Sequence, residues 1–212
     1  MANPILKSFA FGFGISFLCL ALPVAGDDQP SGHSILSPGD TIVALKETTK
    51  GRANVLAESG DYGGNGGNEE LVAQAIDGDI GTKHFNKASD DAGSPGVGDG
   101  FVVKPHLGAT VLTGIQFGTA NDIPDRDPMA ITIEGSNTDG ADKAKAKDFT
   151  LIYKGQTGLA KDPGRNHWGQ AVTFTNTESY KYYRVLVTQI RGGDSADAVQ
   201  YAEVRLLGSA SN

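Results

Sequence analysis

Hydrophobic and polar residues alternate in short runs through most of the chain, and this pattern predicts β-strands. The alternation is clearest at residues 109–117 (ATVLTGIQF) and 130–136 (AITIEGS). Comparable runs occupy residues 41–44, 100–104, 149–154, 168–174, 182–190 and 201–207. Clusters of Gly, Asp, Asn or Pro separate the runs at intervals of about ten residues. We therefore predict an all-β fold, an antiparallel β-sandwich.

One segment departs from this pattern. Residues 68–76 (NEELVAQAI) begin with Asn68, a favoured helix-capping residue, followed by Glu69 and Glu70 in the first turn. The apolar residues after them recur on a helical period. The segment is predicted to form one short helix of one or two turns.

The first 26 residues have the pattern of a secretory signal peptide. Lys7 precedes an apolar run at 9–22, and small residues lead to a cleavage site near Gly26. The run is shorter than the roughly 20 residues that cross a bilayer, although an uncleaved anchor is the alternative. Residues 27–40, rich in Pro, Gly and Ser, are predicted to be a leader. The domain is expected at 41–208 with a tail at 209–212, in a secreted, extracellular or periplasmic protein.

The net charge limits the possible partners, and the cysteine content limits how the domain can be stabilised. The chain has 18 basic and 25 acidic residues, and cleavage removes only Lys7, so the mature charge is 17 − 25 = −8. Without a basic patch, no nucleic-acid partner is expected. No later apolar run could span a membrane. Cys19 is the single cysteine and lies in the signal, so packing or a metal ion, rather than disulfides, is expected to hold the domain.

The stretch DGDIGT at residues 77–82 carries oxygen-bearing side chains at close spacing. Asp77, Asp79 and Thr82 could supply the hard oxygen ligands that calcium prefers, and the two glycines permit a tight turn. The loop is not an EF-hand, because the twelfth position counted from Asp77 is Ala88 instead of glutamate. An ordinary Asp-Gly turn between helix and strand is the alternative on these residues alone.

The order of the surrounding pieces is more specific than any single motif. AIDGDIGTKHF is followed by GFVVKP, TGIQFGTAND, ITIEGSNTDG, YYRVLVT and YAEVRLLG. Over residues 42–208 this series resembles the discoidin-like, or coagulation-factor type C, family, whose fold many bacterial galactose-binding-like carbohydrate-binding modules share. The chain has Phe85 where the family usually has tryptophan, and it lacks the disulfide of most animal relatives. These departures favour the bacterial type.

The resemblance implies a jelly-roll β-sandwich that is stabilised by a structural calcium ion. Asp77, Asp79 and Thr82 would bind the ion from the first loop. Glu203 and the carbonyl oxygen of Ala202 would bind it from the last strand.

The resemblance also implies that ligands bind to loops at one end of the sandwich. Sugar binding requires an aromatic face and polar groups that form paired hydrogen bonds with neighbouring hydroxyls. The candidate ligand-binding residues are His84, Asn121, Asp122, Arg126, Arg191 and Asp194. As alternatives, Arg126 would pair with the flanking Asp125 and Asp127, and Phe85 would pack in the core. Trp168 is also expected in the core.

The leading functional hypothesis is a non-catalytic module that binds a glycan or another extracellular surface ligand. An adhesion or matrix protein with a protein partner is the second hypothesis. The chain contains no motif of a zinc protease, a serine-hydrolase elbow or a phosphate-binding loop. A glycan-active enzyme remains the third hypothesis, because two catalytic carboxylates can lie far apart in sequence.

Overall fold

The computed structural model describes residues 32–46, 55–56, 70–87, 96–141 and 148–211. The predicted signal peptide lies outside the described residues, as do residues 27–31 of the predicted leader. The described strands are β1 (His33–Ser34), β2 (Thr41–Lys46), β3 (Val55–Leu56), β4 (His84–Lys87), β5 (Gly100–Lys104), β6 (Thr110–Gly118), β7 (Pro128–Ser136), β8 (Thr150–Gln156), β9 (Val172–Thr173), β10 (Ser179–Tyr180), β11 (Tyr182–Ile190), β12 (Ala198–Tyr201) and β13 (Glu203–Ala210). Short 3-10 helices span Val72–Ile76, Pro124–Arg126 and Gly193–Ser195.

The strands form two main antiparallel sheets. One sheet has the order β1-β13-β6-β10, with β9 also paired to β6, and the other has the order β3-β2-β5-β11-β7-β8. Strands β12 and β4 form a separate antiparallel pair. Inward-facing residues of both sheets, such as Ile115, Ile133, Val185 and Leu206, share one hydrophobic core. The prediction of an all-β antiparallel sandwich is confirmed.

Tyr201 lies at the centre of an aromatic cluster in this core. Its ring centroid is 5.3 Å from that of Phe117 and 6.4 Å from that of Phe101. All three side chains are almost completely buried. Burial of each such ring contributes roughly 1.5–3 kcal/mol, so this cluster is a substantial part of the stabilising core.

The sandwich extends past the predicted boundaries at both ends. β1 lies inside the predicted leader and pairs with β13, and Ile35, which is only 2% exposed, joins the core. Ser209 and Ala210, in the predicted tail, pair with β6. A two-residue edge strand is too short to show alternation, which is why the pattern at 27–40 indicates only a leader.

Three further elements differ from the sequence pattern. The predicted helix is a 3-10 helix at Val72–Ile76, and Leu71 before it makes no side-chain cap, while Asn68 and Glu69 lie outside the described residues. The run at 168–174 forms a strand only at Val172–Thr173, and Trp168 makes an isolated bridge to Gly118 outside the core. The run at 201–207 is broken at Ala202, between β12 and β13. Within the described part of the chain, no helix has the length and apolar character to cross a membrane.

Candidate functional site

Three connecting segments meet beside the β12–β4 pair. They are residues 119–127 after β6, residues 162–166, and residues 191–197 between β11 and β12, and we call their joint surface the loop end. Backbone hydrogen bonds join them: Asn166 donates to the carbonyl of Ala120 at 3.2 Å, and Arg191 donates to that of Asp127 at 3.0 Å. The segments are therefore held together by the backbone before any side chain is considered.

A buried aspartate lies at the centre of the loop end. Asp127 is 0% exposed, and Arg165 donates to both of its carboxylate oxygens at 2.7 Å. Arg191 donates to the same carboxylate at 3.3 Å. The bond with Asp127 raises the pKa of Arg165, which keeps this arginine charged. One carboxylate thus cross-links all three segments.

Arg165 also binds an aspartate at the edge of the loop end. It donates to Asp162 at 2.7 Å, and the backbone N–H of Gly164 donates to the same oxygen at 2.9 Å. The hydrogen bond from Arg165, followed by that from Gly164, lowers the pKa of Asp162. Asp162 and Asp127 therefore hold the Arg165 guanidinium from two sides.

Arg126 forms an ion pair across two loops. Its Nε and Nη2 donate to the two carboxylate oxygens of Asp197 at 2.7 and 2.9 Å. The guanidinium carbon lies 5.0 Å from the ring centroid of Phe85. The expected pairing with the flanking Asp125 and Asp127 is not found, because the side chain reaches the neighbouring loop instead. Phe85 is 8% exposed, in agreement with the expected packing role.

Asp122 is anchored at the rim by Lys83, which precedes β4, and by Gln200 of β12. Lys83 donates to its carboxylate at 3.0 Å, and Gln200 donates to the carboxylate at 2.9 Å and to the Asp122 carbonyl at 2.8 Å. Partial burial raises the pKa of Asp122, but the hydrogen bonds from Lys83 and Gln200 outweigh it, and the net pKa lies below its usual value. The Asp122 side chain is 47% exposed, so it is fixed and still open to solvent.

His84 does not lie on the rim, which corrects the sequence expectation. It is 0% exposed, and its ring packs edge-to-face against Tyr201 with centroids 5.3 Å apart. Pairing with Tyr201 in the β12–β4 ladder turns the imidazole into the interior. Burial lowers the pKa of His84 to about 4, so the ring is neutral at physiological pH. We therefore remove His84 from the candidate ligand set.

The other candidate ligand residues lie at the loop end, in two groups. Asn121, Asp122 and Asp194 are exposed. Arg126 and Arg191 are only partly exposed, and Arg191 points inward, donating to the Leu159 carbonyl at 2.7 Å. Arg191 thus has a structural contact that the sequence does not indicate.

Sequence reasoning missed four residues that organise the loop end: Lys83, Arg165, Asp197 and Gln200. Arg165 and Asp127 are 38 residues apart, and Gln200 and Asp122 are 78 residues apart. No local pattern marks such a pair. Residues 119–128 are dense in polar side chains, and this signal indicates the loop but not its partners.

The predicted calcium loop is a compact turn joined to β13. Thr82 Oγ1 and the backbone N–H of Asp79 donate to the two carboxylate oxygens of Asp77 at 2.9 and 2.8 Å. The backbone N–H of Gly78 donates to Glu203 at 2.8 Å, across 125 residues. Burial, and after it the neighbouring Asp77 carboxyl, raises the pKa of Glu203 to about 8.

These residues offer oxygen atoms of the kind that calcium binds. Asp77 and Glu203 bring two carboxyl groups together, and the hydroxyl of Thr82 and backbone of Asp79 lie in the same turn. Ala202 is buried beside them, where its N–H donates to Gly118. Among the described residues there is no group of three or more His, Cys, Asp or Glu that could hold a metal ion. Calcium therefore stays a prediction.

No family model matches the sequence, and no curated protein matches it. Among solved structures, the family 32 carbohydrate-binding module of NanJ from Clostridium perfringens, solved with galactose, has a TM-score of 0.52 at 16% identity, over 82% of this chain and 97% of that one. The C. perfringens module CpGH89CBM32-5, solved with GalNAc-β-1,3-galactose, has a TM-score of 0.53 at 15% identity, over 79% and 94%.

A third similar structure comes from another genus. Chitosan-binding module 1 of a chitosanase/glucanase from Paenibacillus sp. IK-5 has a TM-score of 0.50 at 17% identity, over 83% of this chain and 99% of that one. In all three comparisons the likeness extends over nearly the whole of the other module. At these identities the likeness establishes the fold. The chain has the discoidin-like β-sandwich fold of the family 32 carbohydrate-binding modules.

Proposed function

We propose that this chain is a secreted, non-catalytic module that binds carbohydrate through the loop end. The observation that carries the proposal is the Arg126–Asp197 pair, which holds two loops together above the Phe85 ring. The likeness to carbohydrate-binding modules supports the ligand class by analogy of fold.

The loop end presents donors and acceptors in fixed positions. Arg126 uses two of its five N–H donors for Asp197 and retains others, while Asp122 and Asp197 expose carboxylate oxygens. Vicinal hydroxyls of a sugar ring both donate and accept hydrogen bonds, so an alternation of carboxylate and guanidinium groups matches them. Because these side chains are already anchored, a ligand would lose less free energy to ordering them.

A structural calcium ion is part of the proposal. Asp77, Asp79, Thr82 and Glu203 would hold it, with the Ala202 carbonyl. The ion would neutralise the Asp77 and Glu203 carboxylates, which approach each other at the start of β13. Its role would be structural: it would join the first loop to the last strand in a domain that contains no cysteine.

The test is binding of the purified protein to a broad glycan array, in calcium and again in chelator. Selective binding that Arg126→Ala abolishes is the expected result. Lys181→Ala is the matched control, because it also breaks an exposed ion pair, with Asp139 at 3.1 Å, away from the loop end. Binding that Lys181→Ala weakens as much as Arg126→Ala would contradict the proposed site.

Two other outcomes would replace the proposal. If no glycan binds with or without calcium, a protein partner is the better hypothesis, and capture of a defined extracellular partner that Arg126→Ala prevents would support it. If the protein hydrolyses a polysaccharide and loses this turnover when one acidic residue is changed, it is an enzyme.

A further inference from the structure

A concave surface lies on the outer face of the sheet that contains β13 and β6. It is a cleft of about 250 Å³, bounded by Leu36 and Pro38 on one side, by Ile80 of the Asp77 turn, and by Trp168 and Arg205. We call it the outer cleft. Val204 and Leu206 belong to the core, so Arg205 between them points away from the core. None of the residues that line the outer cleft belongs to the loop end, so the two surfaces are separate.

Trp168 and Arg205 form a stacked pair in the outer cleft. The guanidinium carbon of Arg205 lies 3.8 Å from the ring centroid of Trp168, within cation–π distance. The expectation that Trp168 packs in the core is wrong: it bridges Gly118 on the outside of the sheet and is only partly buried. Gln116 accepts a hydrogen bond from Arg205 at 3.4 Å. The guanidinium is thus oriented by an aromatic face and an amide.

Arg205 has no ion-pair partner in the part of the chain that the structure describes. The other four described arginines are paired: Arg126 with Asp197, Arg165 with Asp127, Arg184 with Glu134, and Arg191 with Asp127. The chain has 25 acidic residues against 18 basic ones, so partners are not scarce. Glu203, two residues away, also lines the outer cleft, but it is only 4% exposed and accepts a hydrogen bond from Gly78. Arg205 therefore retains donors for an anion from outside.

The chemistry of the outer cleft selects a particular kind of ligand. A guanidinium with free donors binds a carboxylate through two parallel hydrogen bonds. The apolar wall of Leu36, Pro38 and Ile80 and the ring of Trp168 suit the C–H surface of a sugar. An inorganic anion would leave this wall unused, and a neutral sugar would leave the charge of Arg205 unused. The volume is smaller than about 300 Å³, the lower limit for pockets that hold drug-sized molecules, so the cleft suits a single sugar ring.

We infer that the outer cleft binds a uronic acid residue of an acidic polysaccharide, with the sugar carboxylate on Arg205 and the ring against Trp168. This site goes beyond the proposed function, because it lies on a different surface and does not need the loop end. It gives the chain a second glycan-binding site, which selects acidic sugars over neutral ones.

The single tryptophan makes the outer cleft directly observable. Trp168 is the only tryptophan in the chain, so its fluorescence reports this site. The purified protein is titrated with pentamers of galacturonate, glucuronate and mannuronate, and with the carboxyl-reduced form of each. At least one acidic pentamer is expected to give a saturable change in Trp168 emission, with its reduced form binding at least about tenfold more weakly. No saturable change with any acidic pentamer would overturn the inference.

Substitutions then assign the charge contact. Arg205→Gln is expected to weaken binding of the acidic pentamer by at least about tenfold, while Lys181→Gln, which removes one exposed positive charge elsewhere, leaves the affinity within about twofold. Arg205→Lys retains the charge but loses the paired geometry, so it should fall between the two. An affinity that Arg205→Gln leaves unchanged would overturn the inference. If Arg205→Gln shifts the unfolding transition, the test rests on Arg205→Lys alone. An affinity for the acidic pentamer that Arg205→Lys leaves unchanged would then overturn the inference.

A final comparison separates this site from the loop end. Arg126→Ala is expected to leave the Trp168 titration unchanged even where it abolishes binding on the glycan array. If Arg126→Ala removes binding of the acidic pentamer and Arg205→Gln does not, the acidic sugar binds at the loop end. In that case the further inference fails while the proposed function stands.

Discussion

Arg126 and Asp197 form a bidentate ion pair although 71 residues separate them in the chain. The pair joins the loop after β6 to the loop before β12 and lies over the Phe85 ring. It is the contact that converts two polar loops into one surface, and it determines how the loop end can be tested.

Loss of either partner should affect binding more than stability. The Asp197 side chain is 54% exposed, so solvent screening limits the contribution of the ion pair to stability. A double-mutant cycle of Arg126→Ala and Asp197→Ala, measured by the free energy of unfolding, should therefore give a coupling energy below about 1 kcal/mol. Both variants should lose glycan affinity. The Lys181–Asp139 pair, with Asp139 90% exposed, is the control cycle and should give a coupling near zero. A coupling well above the stated limit would mean that the pair is mainly structural.

Asp127→Ala should be strongly destabilising. This carboxylate is 0% exposed and bonded to Arg165 and Arg191, so its removal leaves two arginines without their shared partner. A loss of about 3–5 kcal/mol in the free energy of unfolding is expected from chemical denaturation. Asp125→Ala, two residues away and exposed, should change it by no more than about 0.5 kcal/mol. Equal effects of the two changes would contradict the cross-linking role of Asp127.

Asp162 should contribute to the loss of stability in acid. The hydrogen bond from Arg165 holds the pKa of Asp162 below its ordinary value of about 3.9. A carboxyl whose folded-state pKa is lowered stabilises the fold above its unfolded pKa, and this contribution is lost as pH falls through the folded pKa. Asp162→Asn should therefore lower Tm at neutral pH and show a smaller further decrease below about pH 4. If the Tm of Asp162→Asn depends on pH in the same way as that of the unchanged protein, this role is refuted. Asp139→Asn is the control, because the Asp139 side chain is exposed.

Calcium should raise the thermal stability if the proposed ion is bound. A ligand that binds only the folded state shifts the unfolding equilibrium, so Tm should be higher in excess calcium than in chelator. Asp77→Asn and Glu203→Gln should abolish the difference, because each removes a carboxylate from the proposed site, whereas Asp125→Asn should retain it. Equal Tm values in calcium and in chelator would exclude a structural ion.

The local patterns of the chain were sufficient for the long strands and for the Asp77 turn. Alternation places Ile115 and Ile133 on the buried faces of β6 and β7, because successive side chains of a strand point to opposite sides. The bonds within the turn, from Asp79 and Thr82 to Asp77, span only two and five residues. Contacts this short are encoded by neighbouring residues, so a sequence pattern can indicate them.

Only the tertiary structure determined which charged residues pair with one another. It also determined on which side of a sheet each aromatic or imidazole ring lies. Alternation gives Trp168 two possible sides, and the bridge to Gly118 places it outside the sheet, under Arg205. His84 is turned inward by its pairing with Tyr201, 117 positions later in the chain. Hydrophobic burial depends on which residues are apolar and is therefore visible along the chain. An ion pair or a ring contact depends on two side chains that only the completed fold brings together.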